Sequence, residues 1–113
     1  MKNDVKDHIF HNASNSANNG IFLEVEYFKT LTVEIYGSID NSARTVLFYA
    51  MGPSKILRDF VGVKLSAAPL ATAVSTTGIS EIWQFDITGL TRIYMVLSSI
   101  TDGTVTIKGR AVS

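Results

Sequence analysis

Apolar and polar residues alternate with a period of two in one short run after another along this chain, and only one stretch offers a helical spacing. From Gly78 onward, ISEIWQFDITGL, TRIYMVLSSI and GTVTIKGRAVS read as three consecutive strands joined by two tight turns, a β-meander. Trp83, Phe85 and Ile87 share one face of the first, and Gln84, Asp86 and Thr88 share the other, as a half-buried strand requires. In the third, Val105 and Ile107 oppose Thr104, Thr106, Lys108 and Arg110. A meander with one apolar face must lay that face on a second layer, which the rest of the chain has to supply.

The first part of the chain contains candidates for that layer. In TLTVEIYG, Leu31, Val33 and Ile35 point one way and Thr32, Glu34 and Tyr36 the other; in IFLEVEY, Ile21, Leu23 and Val25 form the inward parity. Residues 3–10 alternate weakly and predict an edge strand or an arm lying on a neighbour. The following HNASNSANNG can bury nothing and reads as a loop, making 1–20 a polar N-terminal segment. ARTVLFYAMG is apolar on both parities, with Val46, Phe48 and Ala50 against Leu47, Tyr49 and Met51. Both of its faces therefore need cover: one from the core, the other from a loop or a second subunit.

SIDNSA and Gly52–Pro53–Ser54 are turns. In KILRDFVGVKLS, Ile56, Leu57 and Phe60 have the spacing of a short helical face. A strand from Val61 to Leu65 is preferred, with Gly62 as a bulge, and LATAVS adds a further short strand. Seven to nine strands with turn signals every eight to twelve positions predict an all-β fold: an antiparallel β-sandwich, one domain over residues 1–113. Alternation leaves the strand order open.

Composition narrows the function more than it defines it. With 46% apolar residues, 113 residues suffice for one core. The absence of cysteine removes disulfides and thiolate metal sites. Ten basic and ten acidic residues cancel, so no overall field favours nucleic acid. MKNDVKDHIF has no apolar run resembling a signal-peptide core, and no uncharged stretch is long enough to span a bilayer. Residence in the host cytoplasm, or release when a cell lyses, is expected.

No residues assemble into a catalytic or cofactor-binding pattern. His8 and His11, three apart on a strand, point to opposite faces, which is wrong for sharing a metal. Asp40 and Asp102 lie in turns and could meet at one end of a sandwich, but turn chemistry explains both. Neither a serine elbow nor a phosphate loop is present, so no enzyme is expected. Tyr36 and Tyr94 face outward and are expected to pair across a sheet rather than to form a sugar platform. Leu47, Tyr49 and Met51 are the candidate oligomer contact.

Several phrases carry a family likeness: Phe10-His11-Asn12-Ala13, Leu31-Thr32-Val33-Glu34-Ile35-Tyr36-Gly37, Trp83-Gln84-Phe85-Asp86-Ile87-Thr88-Gly89-Leu90, and Gly103-Thr104-Val105-Thr106-Ile107-Lys108-Gly109. Together they resemble small β-sandwich proteins of bacteriophages and prophages of Gram-positive bacteria, the group of YomS and the C-terminal domain of XepA. The resemblance implies a C2-like sandwich, a homo-oligomer in the form of a pentameric ring, and a non-enzymatic role beside the host-lysis cassette. The clustered aspartates with which C2 domains hold calcium are absent. The alternative is a virion component, a head decoration or tail adhesin domain that contacts a membrane or the host surface.

Overall fold

The computed structural model describes residues 4–38, 43–78 and 80–113. Backbone pairing organises them into eleven strands: β1 (Val5–Ser14), β2 (Leu23–Glu24), β3 (Thr30–Gly37), β4 (Arg44–Met51), β5 (Leu57–Asp59), β6 (Gly62–Lys64), β7 (Ala71–Ala73), β8 (Ser75–Thr76), β9 (Glu81–Asp86), β10 (Arg92–Ile100) and β11 (Val105–Val112). A six-stranded sheet has the order β1-β11-β3-β9-β6-β7. A five-stranded sheet has the order β2-β10-β4-β5, with β8 also pairing β4. Every pairing is antiparallel.

The two sheets pack in the manner of a sandwich because each turns one parity inward. Leu31, Val33, Ile35, Trp83, Phe85, Val105 and Ile107 from the larger sheet meet Leu23, Val46, Phe48, Ile93, Met95 and Leu97 from the smaller in one core cluster. Phe48 sits at the seam, its ring 5.0 Å from both Trp83 and Phe85 and edge-on to each, the orientation that aromatic quadrupoles favour. The inward parities expected for β3, β4 and β9 are the ones buried.

The expected meander is not there. β9 pairs with β3 and β6, β11 pairs with β1 and β3, and β10 lies between them in sequence but in the other sheet, against β4 and β2. Asp86 ends β9 and Arg92 begins β10, leaving five residues that reach about 16 Å when extended. That exceeds the ~10 Å between packed sheets, so the connection crosses the sandwich instead of turning a hairpin. The count of seven to nine strands is also low. Five of the eleven are two or three residues long, too short for alternation to register.

Three further expectations change. The stretch after Phe10 is not all loop, because β1 continues to Ser14, with register shifts between Ile9 and His11 and between His11 and Ser14. Phe10 and His11 are consecutive yet both buried, as a bulge allows. Gly20 returns past this point at φ +66, where a Cβ would lie 2.5 Å from the Phe10 carbonyl oxygen. In IFLEVEY only Leu23–Glu24 pairs as strand; Leu23 and Val25 are buried but Ile21 is 66% exposed. KILRDFVGVKLS holds no helix but two strands in different sheets, β5 and β6. Gly62 is in continuous register with Ala73, so it makes no bulge. It is small because a Cβ there would sit 2.4 Å from the Phe85 ring.

Candidate functional site

Leu47, Tyr49 and Met51 lie together on the outward parity of β4, half-buried, while Val46, Phe48 and Ala50 fill the core. Register extends this row across the sheet: Val96 stands opposite Leu47, Tyr94 opposite Tyr49 and Arg92 opposite Met51 on β10, with Leu57 opposite Met51 on β5. The Phe22 ring lies 5.4 Å from Tyr94, and the Arg92 guanidinium sits 4.4 Å above Phe22. Arg92 also approaches Glu24 at 3.7 Å, and Asp59 stands opposite Tyr49. The result is an apolar centre with charged residues around it, the anatomy of a protein interface. The chain covers this face only in part.

Tyr36 and Tyr94 do not pair, because β3 and β10 belong to different sheets. Tyr36 lies beside Lys108, whose ammonium is 5.6 Å from the ring centre. Asp40 is outside the described residues, together with the rest of 39–42. Asp102 accepts a bond from the Gly103 amide at 2.9 Å, as a turn aspartate does. Among the described residues, no three His, Asp or Glu side chains are placed to hold a metal ion, and no helix is long and apolar enough to cross a membrane.

The two histidines hold different parts of the chain to β1. His8 Nε2 donates to the Ile21 carbonyl at 2.8 Å. His11 Nε2 donates to the Met95 carbonyl in the opposite sheet at 2.6 Å, and Nδ1 accepts from the Ser14 hydroxyl at 2.9 Å. Burial depresses the His11 pKa, more than the Met95 bond raises it.

Sequence reading missed Glu81. It is 4% exposed, and its carboxylate accepts from Thr76 Oγ1 at 2.6 Å and Trp83 Nε1 at 3.1 Å and pairs with Lys64 Nζ at 2.5 Å. Burial pushes its pKa up, but the bonds from Lys64, Thr76 and Trp83 together outweigh burial and hold it below the ordinary glutamate value. Thr76 belongs to the smaller sheet and Lys64 and Trp83 to the larger, so this carboxylate ties the layers together. Its parity with Trp83 was the available signal. A cleft of about 840 Å³ runs along β1 and β11; two of the charges lining it, Asp7 and Arg110, bind each other at 2.7 and 3.0 Å.

Residues 4–111 match the XepA family model. XepA of the phage-like element PBSX of Bacillus subtilis (strain 168) is 41% identical over 107 residues, which is 95% of this chain and 37% of XepA. YqxG of the same organism is 36% identical over 107 residues, 95% of this chain and 35% of YqxG. YomS, derived from the SPbeta prophage of that organism, is 36% identical over 104 residues, 92% of this chain and 84% of YomS. In solved structures, the PBSX exported protein XepA superposes with a TM-score of 0.92 at 38% identity, covering all of this chain and 39% of XepA. YomS superposes at 0.88 and 34% identity, covering all of this chain and 96% of YomS. The chain thus spans little more than a third of XepA and YqxG but most of YomS, and it belongs to the XepA family as a phage or prophage protein.

Proposed function

We propose that the chain is a non-enzymatic assembly module that closes into a ring of five copies and acts beside the host-lysis cassette. The observation that carries this reading is the outward face of β4. Leu47, Tyr49 and Met51, extended by Tyr94, Val96 and Phe22, form an apolar surface that the chain itself leaves half open. A ring covers such a surface with a different patch of the next subunit. The zero net charge offers no general repulsion between copies. In this reading the sandwich is C2-like without calcium. On the same reading the protein stays in the host cytoplasm until lysis releases it.

Light scattering tests the reading. The wild type is expected at five times the chain mass of 12.3 kDa. Leu47→Asp combined with Met51→Asp should give folded monomers, because the interface would strand both charges in apolar surroundings. A wild-type mass of 12.3 kDa would end the ring. Wild-type assembly in the double variant would move the contact off this face.

A further inference from the structure

At one end of the sandwich three loops converge: residues 25–29 between β2 and β3, 52–56 between β4 and β5, and 87–91 between β9 and β10. Each is closed by its own backbone bond, from Phe28 to Val25, Lys55 to Gly52 and Leu90 to Ile87, all at 3.0 Å. They are also tied to their neighbours, since the Val25 amide donates to the Thr91 carbonyl at 3.0 Å and the Thr91 amide to the Met51 carbonyl at 2.8 Å. The loops are therefore set by hydrogen bonds before any partner arrives.

Between them lies a cleft of about 520 Å³, within the ordinary range of small-ligand sites, roughly 300–1,000 Å³. Three residues that line it hold positive φ: Tyr27 at +74, Lys55 at +59 and Gly89 at +82. Tyr27 is 91% exposed. Its ring contributes almost nothing to the core, yet its backbone occupies a region that a bulky residue avoids. Strain of this kind collects where a ligand is held.

We infer that this cleft is a saccharide-binding site, with the Tyr27 ring as the face on which a pyranose lies. The rim decides the chemistry. Lys29 and Lys55 only donate hydrogen bonds and Glu26 only accepts, while the Thr88 and Thr91 hydroxyls, whose protons go to the Asp86 carboxylate and the Met51 carbonyl, keep lone pairs that accept. Sugar hydroxyls, which also donate and accept, match such a mixed rim. A phosphate or a nucleic acid would face the Glu26 carboxylate as well as the lysines. Phe28, Pro53 and Leu90 also line the cleft, so the apolar surface that a pyranose face needs lies beside the polar groups that its hydroxyls need. The site is at the loop end of the sandwich, and it does not depend on the ring proposed above.

The test uses the whole chain and three soluble probes, the tetrasaccharides of N-acetylglucosamine, glucose and galactose, followed by saturation-transfer NMR. At least one is expected to bind, and Tyr27→Ala should weaken it by about tenfold or more, equivalent to about 1.4 kcal/mol. Tyr36→Ala, on the outer face of the larger sheet, should leave binding unchanged. If Tyr27→Ala folds poorly, Tyr27→Gly takes its place, because glycine adopts φ +74 without strain. Absence of binding by all three tetrasaccharides overturns the proposal, and so does undiminished binding in the Tyr27 variant. A change in native mass on replacing Tyr27 would assign the loop end to a contact between subunits and likewise overturn it.

Discussion

Glu81 gives the sharpest test of the energetics. In Glu81→Ala the buried Trp83 indole N–H loses its acceptor, which costs about 1–3 kcal/mol for a stranded donor. The Lys64 side chain is 30% exposed, so its ammonium can turn to water and adds less than a fully buried partner would. Loss of the buried aliphatic stem adds about 1 kcal/mol. The sum is about 3 kcal/mol, a large part of the stability of a domain this size. Glu81→Gln keeps the volume and one acceptor oxygen and should cost about 1 kcal/mol.

The pH dependence separates the charge from the shape. Because the folded carboxyl titrates below its ordinary value of 4.5, its contribution is complete above that value and is lost as pH falls through the lowered folded value. The gap between wild type and Glu81→Gln should therefore close in acid. Urea unfolding of the three proteins at equal concentration, at pH 7 and at pH 3, reads both quantities. A Glu81→Ala protein within 0.5 kcal/mol of wild type, about the spread of neutral surface changes, would refute the reasoning, as would a gap to Glu81→Gln that persists unchanged at pH 3.

Trp83→Ala empties a site only 2% exposed and packed on Phe48, so it should cost about 3–5 kcal/mol by denaturant unfolding. Gly62→Ala must displace the Phe85 ring, at about 1–3 kcal/mol in the same assay. His11, with its folded pKa lowered, should make stability decline as pH falls below its ordinary 6.5, since the unfolded chain takes the proton first. His11→Gln should flatten that part of the urea-midpoint profile. Saturating calcium or zinc should leave the melting temperature unchanged, whereas a ligand at a hundred times its Kd would add about 2.7 kcal/mol.

What the sequence made legible was parity. Leu31, Val33 and Ile35, and again Trp83, Phe85 and Ile87, announce a buried face by alternation alone, and each of these residues is buried. Alternation says nothing about which sheet a strand joins, because both sheets of a sandwich show the core the same pattern. Parity alone therefore sets β10 beside β9, whereas it crosses to the other layer. Glu81 continues the parity of Trp83, yet a carboxylate suggests solvent until its three partners are assembled from β6, β8 and β9. Tyr27 and Lys55 carried no signal at all, since their proximity comes from loops 28 positions apart in sequence. Leu47, Tyr49 and Met51 were marked by being apolar on the wrong parity.

The place of β11 between β1 and β3 sets a timetable for folding. Asp4 and Ser113 are hydrogen-bonded across 109 positions of chain, so β1 has no partner until β11 has been synthesised. At about 5–20 residues per second on the ribosome, that wait is roughly 5–20 seconds, long against the times in which local structure forms. During it, the β11 strands of completed copies are the only β11 partners open to the unpaired edge of β1, until its own arrives at a far higher effective concentration. Strand exchange between chains is therefore the misfolding route built into this topology, and slower translation or higher expression drives more of the protein along it.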